Sequence, residues 1–503
     1  MVFMNKIKII FVTFIFVTSI CFASSLSVDE NRISEYTLPN GLHFIIMEDH
    51  TAPVVSFVVI VNTGSSDEKE AETGISHLIE HLAFNGTEKI GATDWRKEKQ
   101  LITAMDNLYG EMISITHSSN YSPSGKEEKI RQIQERFDKL KERASLLSEP
   151  NEFGKILDRN GAAGLNAYTS NDITVYWVEL PSNRTELWAY LESDRLFNPV
   201  FRSFYEELDV VKEERRMRTE NTPMGKLMEE FHKTAFTIHP YRNPVIGYTE
   251  DLECMTRTKV QTFYQKHYVP SNITIVIAGD VNRTNLIPLL NKYFGKIPTG
   301  KNPIRDLSVE PPLKETKRIT VVMDSEPIFL AAFRIPDINH PDIYPLDICA
   351  EIIAGGRTSR LYRRLVQEEK VAVSVACWSR SAKYPSLFYI WAIPSKERTN
   401  AEVEKIILEE IENIKTEGIT EKELEGAKAR LSMDVLTTLK TRRGLAEQLG
   451  LYYVLTGNWR NMFMYMEHIE SISAKDIQGT VEKYFGIDNM VIGTLEKKGK
   501  QGD

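Results

Sequence analysis

The segment LECMTRTKVQTFYQKHYVPSNITIVI (252–277) is the most informative one for predicting the fold, because the chain contains a second, similar segment. Residues 469–493, IESISAKDIQGTVEKYFGIDNMVIG, match it without a gap at a shift of 217 positions, with five identities. Both stretches are typical of a short capped helix that leads into a strand. Two unrelated helix–strand units would also look similar, so this match alone does not establish that a domain is duplicated in the chain.

The front of each half matches as well. The helical pattern before Asn85-Gly86-Thr87 resembles residues 344–354 before Gly355-Gly356-Arg357, at a shift of 270 positions, which leaves about 53 extra residues in the first half. We therefore predict an α+β fold of two homologous, duplicated domains, each an antiparallel-rich sheet with packed helices. The first domain is expected at 30–297 and the second, without a metal motif, at 316–503. Between them, 298–315 is rich in Pro, Gly and charge and predicts a linker.

The extra residues predict a helical hairpin inserted in the first domain at about 91–158. Apolar residues recur every three or four positions in both of its helices. They are Leu101, Met105, Leu108 and Met112 in the first helix, and Ile130, Ile133, Phe137, Leu140, Ala144 and Leu147 in the second. We expect this seam to pack one helix on the other; the alternative is an arm that binds a partner.

Composition excludes some classes of protein. The 503 residues are 42% hydrophobic and 26% charged, which is ordinary for a globular protein of two or more domains. The formal net charge of −8 offers no basic surface, so we expect no nucleic-acid partner.

The N-terminus resembles a secretory signal peptide. Lys6 and Lys8 precede an apolar run of about a dozen residues that ends near Ala23, short of the roughly 20 needed to span a bilayer. We predict a signal peptide at 1–23, a periplasmic or secreted protein, and no membrane span in the mature chain. An uncleaved anchor and a lipoprotein attached through Cys21 are the alternatives. The other cysteines, Cys254, Cys349 and Cys377, match no zinc or disulfide spacing and are expected as buried free thiols.

The segment His77-Leu78-Ile79-Glu80-His81 carries the clearest chemical signal. On a helix, His77 and His81 lie on one face, and Glu80 projects toward the same side. Two imidazoles and one carboxylate suit zinc, with the fourth position left to water and a nearby carboxylate to take its proton. This order is the inverzincin motif. The alternative is a pair of histidines on an ordinary amphipathic helix.

A third ligand must come from elsewhere, and the helical segment FYEELDVVKEERRMR (204–218) offers candidates. Glu207 and Glu214 are two turns apart and are expected to share a face with Val210 and Val211. Carboxylates on a half-apolar face are costly unless they are paired or metal-bound, which favours Glu214 as ligand and Glu207 as a supporting acid. Glu206, Asp209 and Glu213 are expected in solvent.

These segments resemble the pitrilysin, or insulinase, family of zinc metallopeptidases. The resemblance rests on HLIEHLAFNGT, GLNAYTSNDITVY, ELDVVKEE, HPYRNPVIG and HYVPSN, in that order, and continues more weakly through GGRTSRLYRRLVQEEK. In its length and its single zinc motif, the chain resembles the half-length, processing-peptidase-like branch of the family. Within that branch it resembles the zinc-bearing subunit.

The resemblance implies one Zn²⁺ per chain, held by His77, His81 and Glu214, with Glu80 as general base and Glu207 in support. It also implies that peptide binds as an added strand at Asn166 and Ala167, which reads backbone and favours unfolded peptides.

The second half of the chain departs from the family pattern at one pair of positions. Fully active relatives place an Arg and a Tyr seven residues apart there, to hold the substrate carbonyl, whereas this chain has Val366 and Val373. Valine cannot donate a hydrogen bond. We therefore expect a homo- or heterodimer, with a non-zinc subunit supplying the Arg/Tyr pair.

The sequence thus predicts an exported zinc endopeptidase that acts on unfolded peptides or small proteins. The alternative is a non-catalytic subunit of the same family that serves as a scaffold or assembly factor in a complex.

Overall fold

The computed structural model describes residues 30–305 and 308–498, so the predicted signal peptide lies outside the described residues. Eleven strands are present in this part of the chain. They are β1 Ile33–Thr37, β2 His43–Glu48, β3 Val54–Val61, β4 Ala163–Thr169, β5 Thr174–Pro181, β6 Ile273–Gly279, β7 Lys317–Met323, β8 Ile328–Ile335, β9 Ala372–Ser379, β10 Ser386–Pro394 and β11 Met490–Lys497.

Sixteen α-helices accompany these strands within the described ranges. Those of the first half are α1 Ile75–Leu82, α2 Trp95–His117, α3 Pro123–Ser145, α4 Glu152–Arg159, α5 Thr185–Phe197, α6 Phe204–Arg215, α7 Pro223–Ala235, α8 Thr249–Glu253, α9 Arg257–His267 and α10 Arg283–Phe294. Those of the second half are α11 Ile343–Ala354, α12 Asn400–Glu417, α13 Glu421–Leu439, α14 Arg442–Thr456, α15 Asn461–Ser471 and α16 Ala474–Tyr484. Pro at the first turn of α3 and α7, and Thr–Glu capping boxes at α12 and α13, fix where these helices begin.

The strands form two separate sheets with the same internal order. The first runs β1-β2-β6-β3-β5-β4 and the second β7-β11-β8-β10-β9. In the first sheet β2 and β6 are parallel, and in the second sheet β7 and β11 are parallel. The other neighbouring strands are antiparallel. The predicted fold class, a duplicated α+β fold with antiparallel-rich sheets, is confirmed. The bounds 30–297, 298–315 and 316–503 remain predictions.

Strand register supports the correspondence between the halves. Val61 of β3 pairs with Ile273 of β6, and Phe333 of β8 pairs with Met490 of β11. Ile273 and Met490 are counterparts at the shift of 217 found in the sequence, so β8 is the counterpart of β3. The helices that follow these two strands, α1 after β3 and α11 after β8, are then also counterparts.

Each half lends a helix to the other half's sheet. Leu445, Ala446 and Leu449 of α14 pack on β3 and β6 of the first sheet, while Leu227 and Phe231 of α7 pack on the second sheet. This exchange covers the second face of both sheets. It explains why the β-branched run of β3 is buried along almost its whole length.

The inserted hairpin is present as α2 and α3, and its helices pack on each other as predicted. Met105, Leu108 and Met112 of α2 and Ile133 and Phe137 of α3 are buried. The other predicted seam residues, Leu101, Ile130, Leu140, Ala144 and Leu147, are only half-buried. The hairpin also packs on α6, where Phe137 meets Tyr205 edge-on and the Tyr205 hydroxyl donates to Asp106 at 2.7 Å.

Cys254, Cys349 and Cys377 are free thiols, but only Cys349 is fully buried, so the expectation that all three are buried is wrong for the half-buried Cys254 and Cys377. In the described part of the chain, none of the helices has the length and apolar character needed to cross a membrane.

Candidate metal centre

Helix α1 presents its polar face because its other face belongs to the core. Ile75, Leu78, Ile79 and Leu82 are buried, which leaves His77, Glu80 and His81 half-buried on the opposite side. The turn before the helix requires glycine: Gly74 has φ of +87°, and a Cβ there would lie 2.6 Å from the carbonyl oxygen of Ile246.

Glu68, which sequence reasoning missed, caps α1. Its carboxylate accepts 2.8 Å hydrogen bonds from the backbone N–H groups of Gly74 and Ser76. Burial raises the pKa of Glu68 to about 8. A glutamate six residues before a helix gives no sequence signal for this role, because the connecting loop must first fold back.

The carboxylate of Glu214 on α6 faces both imidazoles of α1. Its Oε2 atom lies 3.3 Å from Nε2 of His81 and 3.8 Å from Nε2 of His77. One donor atom from each of these three residues can be chosen so that all lie within 4.8 Å of one another. Residues that are 133 positions apart in the sequence, His81 and Glu214, thus converge on one point.

These donors fit a zinc ion. With bonds of roughly 2.0–2.2 Å and tetrahedral angles, ligand atoms are expected about 3.4 Å apart. The two distances to Glu214 bracket that value, and the set of two nitrogens and one oxygen leaves a fourth position open. The other oxygen of Glu214, Oε1, is 2.5 Å from the guanidinium of Arg218, which stands in the π-helical turn Arg216–Glu220 after α6.

A second glutamate orients His81. Glu207 Oε2 lies 3.3 Å from Nδ1 of His81, and Glu207 Oε1 accepts a 3.0 Å hydrogen bond from the side chain of Asn85. A proton held on Nδ1 by this carboxylate leaves Nε2 as the free lone pair that faces Glu214. In the sequence, Asn85 shows only where the helical pattern ends, and nothing there indicates its contact with Glu207.

The two histidines differ in proton affinity. Burial, together with the neighbouring His81 and Arg218, lowers the pKa of His77 to about 3, so His77 is neutral and able to donate a lone pair. Burial acts the same way on His81, but the hydrogen bond to Glu207 and the surrounding carboxylates outweigh it and raise the pKa.

Glu80 lies beside this cluster with its carboxylate held by the neighbouring strand. The hydroxyl of Thr169 at the end of β4 donates to Glu80 Oε2 at 2.5 Å. Burial raises the pKa of Glu80, although Thr169 and His81 oppose the shift. A carboxylate with a raised pKa is a stronger base, and Thr169 is a partner that the sequence did not reveal.

One predicted neighbour is misplaced. Val211 is fully buried next to Glu207 and Glu214, but the side chain of Val210 is 51% exposed, so its assignment to the shared face is wrong. The buried stripe of α6 runs through Phe204, Leu208, Val211 and Arg215, and Val210 falls outside it. Glu206, Asp209 and Glu213 face solvent as expected.

Asn166 and Ala167 lie on β4, the edge strand of the first sheet in the described region. The strand packs beside α1 and ends in Thr169, so its free edge leads to the cluster. The backbone N–H of Ala167 donates a hydrogen bond to Oδ1 of the neighbouring Asn166 at 2.8 Å. Ala167 is opposite Tyr176 of β5.

In the second half, Val366 and Val373 flank the start of β9, the corresponding edge strand. Val366 is half-buried on the core, whereas the side chain of Val373 is 60% exposed.

Comparisons with known proteins identify similar sequences and folds. The family model described as "Insulinase (Peptidase family M16)" matches residues 43–118, which contain α1, and "Peptidase M16 inactive domain" matches residues 255–431. Among curated relatives, zinc protease PqqE of Helicobacter pylori is 24% identical over 89% of each chain. The uncharacterized zinc protease YmxG of Bacillus subtilis is 22% identical over 91% of this chain and 96% of its own.

Solved structures share the fold. A protease from Helicobacter pylori has a TM-score of 0.76 and 23% identity, covering 92% of this chain and 99% of its own. The periplasmic protease PqqL from Escherichia coli has a TM-score of 0.69 and 16% identity, and the match covers 94% of this chain but 48% of PqqL.

Proposed function

Because the chain belongs to peptidase family M16, the insulinase family, we propose that it is a zinc-dependent endopeptidase that hydrolyses peptide bonds in unfolded peptides or small proteins. One observation carries this proposal. The Nε2 atoms of His77 and His81 and an oxygen of Glu214 converge on one point, with the carboxylate of Glu80 alongside.

In the proposed mechanism, His77, His81 and Glu214 hold one Zn²⁺. Zinc in such a site supplies Lewis acidity, which polarises a carbonyl and lowers the pKa of water toward ~7. Glu80 takes a proton from the attacking water and delivers it to the leaving amine, a role suited to its raised pKa. Glu207 supports His81 from the outer side and keeps its Nε2 atom directed at the ion.

The peptide is proposed to bind along β4 at Asn166 and Ala167. An edge strand offers backbone N–H and C=O groups, which an extended peptide can pair with regardless of its side chains. Asn166 must release the N–H of Ala167 for this pairing, which its exposed position permits. Folded proteins cannot offer such a strand, so unfolded segments are the expected substrates.

A second subunit is proposed to complete the site. Val366 and Val373 cannot stabilise the developing negative charge on the substrate carbonyl. PqqL, which is about twice as long as the matched region, is consistent with an arrangement of two such halves. A partner that supplies an Arg and a Tyr would make the complex faster than this chain alone; full activity of the purified chain without any second protein would contradict it. Export to the periplasm or the medium, through residues 1–23, remains part of the proposal.

The substitution Glu80→Gln tests the proposed function. It keeps the size of the side chain and the hydrogen bond from Thr169 but removes the base. We expect zinc content to stay at the wild-type level while hydrolysis of an unfolded peptide falls by about 10²-fold or more. Unchanged turnover would show that Glu80 is not the base. Loss of zinc together with activity would mean that Glu80 serves binding of the ion.

A further inference from the structure

A cavity of about 520 Å³ lies in the second half, between α11, α13, α14 and α15. Sites for small molecules commonly measure roughly 300–1,000 Å³. The cavity shares no residue with the metal centre, and nothing in the proposed peptidase mechanism uses it.

Helix α11, which lines the cavity through Ile343, Tyr344 and Asp347, is the counterpart of α1. At the shift of 270 positions, Asp347, Ala350 and Glu351 of α11 take the places of His77, Glu80 and His81. The segments that follow α1 and α11 also correspond, because Gly86 and Gly356 both adopt positive φ, of +90° and +109°. Helix α11 packs on α13 as α1 packs on α6.

The replacements at Ala350 and Glu351 remove metal chemistry. Glu351 forms a 2.6 Å ion pair with Arg430 of α13, the counterpart of the helix that carries Glu214. Arginine cannot ligate a metal, and Ala350 cannot act as a base. Asp347 is left in the wall of the cavity without an ion pair to any described residue.

The wall of the cavity suits a positive charge. Asp347 accepts a 2.8 Å hydrogen bond from the hydroxyl of Tyr465, and burial raises the pKa of Asp347 to about 6, as expected for a carboxylate with no cation beside it. Asp434 lies at the rim, and no lysine or arginine lines the cavity among the described residues.

Aromatic faces complete the wall. Tyr344 stacks on His468 with ring centres 4.4 Å apart, and Tyr465 lies 5.7 Å from Tyr344. Tyr452 faces them from α14 across the cavity. Rings of this kind attract ammonium and guanidinium groups through their negative faces.

We propose that this cavity is a binding site for an organic cation, a ligand with a guanidinium or primary ammonium group that pairs with Asp347 and lies against Tyr344, Tyr452 and Tyr465. The basic side chain of a peptide and a free amine share this chemistry. The second half would then use the counterpart of α1 for recognition of a cation.

Calorimetric titration of the full chain tests this proposal with three probes. They are Nα-acetyl-arginine amide, its neutral isostere Nα-acetyl-citrulline amide, and cadaverine. We expect the arginine derivative to bind at least about tenfold more tightly than the citrulline derivative, because only the former forms a charge-assisted hydrogen bond with Asp347. Tighter binding of the arginine derivative than of cadaverine supports a peptide as the source of the cation, and the reverse order supports a free amine.

Two variants locate the site. Asp347→Asn keeps the acceptor for Tyr465 but removes the charge, and should weaken binding of the arginine derivative about tenfold or more. Glu135→Gln, an exposed acid on the hairpin, is the matched control and should leave binding unchanged. If Asp347→Asn does not fold, Tyr452→Leu removes one ring face and should also weaken binding.

Equal binding of the arginine and citrulline derivatives, absence of binding by every probe, or unchanged binding in the Asp347 and Tyr452 variants would overturn the proposal. The titration needs neither zinc nor hydrolysis, so its outcome is independent of the proposed peptidase function.

Discussion

Each of the three glutamates around α1 makes a different contact. Glu214 faces both histidines, Glu207 faces the far nitrogen of His81, and Glu80 is held by Thr169. The spacing of His77, Glu80 and His81 was sufficient to predict that they share a face, because helix geometry is local. The contacts of Asn85 and Thr169 were not predictable, because their partners, Glu207 and Glu80, lie far away in the sequence.

At the residue scale, Glu207→Gln should weaken zinc binding without removing a ligand. The glutamine keeps its size but loses the charge that stabilises the Nδ1 proton of His81, and changes of this kind typically lower metal affinity by roughly 10–100-fold. Competition with a zinc chelator measures the effect. Glu206→Gln, which replaces the adjacent solvent-facing glutamate, is the control, and equal affinities of the two variants would contradict the supporting role of Glu207.

At the scale of elements, β4 and α1 form one unit. The strand proposed to bind the peptide ends in Thr169, which donates a hydrogen bond to Glu80, so the proposed peptide binding and the positioning of the proposed base would be linked through Thr169. Periodicity in the sequence predicted α1 and the inserted hairpin, whereas a strand at Asn166 and Ala167 was implied only by the family resemblance. It did not predict that the hairpin packs on α6, because Tyr205 and Phe137 show only that each helix has an apolar face.

Thr169→Val should therefore lower turnover more than it changes KM. Valine has nearly the same shape, but Glu80 loses a hydrogen bond to a charged group, worth about 1.5–3 kcal/mol, so kcat is expected to fall roughly tenfold or more. Thr169→Ser, which keeps the hydroxyl, should retain most of the activity. If valine and serine at this position give the same kcat, the link between strand and base is wrong.

At the scale of the whole molecule, two copies of one fold are joined by the exchange of α7 and α14. The repeated segments predicted the duplication, and the shared strand order follows from it. The exchange was not predictable, because an apolar helix face does not say which sheet it will cover. The repeat also shows that the second half carries Asp347, Ala350 and Glu351 where the first half has His77, Glu80 and His81, and that Glu351 is paired with Arg430.

Gly450 of α14 marks how closely the exchanged helix approaches the first sheet. A Cβ there would lie 2.4 Å from Ile60 and 2.9 Å from Val276. Gly450→Val should overpack this contact and lower the free energy of unfolding by about 1–3 kcal/mol, measured by denaturant titration. Gly479→Ala on α16, with no heavy atom within 4 Å of its Cβ, is the control and should be neutral or slightly stabilising. An unchanged unfolding midpoint for Gly450→Val would contradict the close approach.

The most direct measurement is the zinc content of the purified chain and of two neighbouring variants. We predict one zinc per wild-type chain, wild-type content in Glu213→Gln, whose side chain faces solvent, and strongly reduced content in Glu214→Gln, which loses the charged ligand. A wild-type chain that binds no zinc, or a Glu214→Gln variant that binds it as tightly as Glu213→Gln, would contradict the proposal that His77, His81 and Glu214 hold the ion.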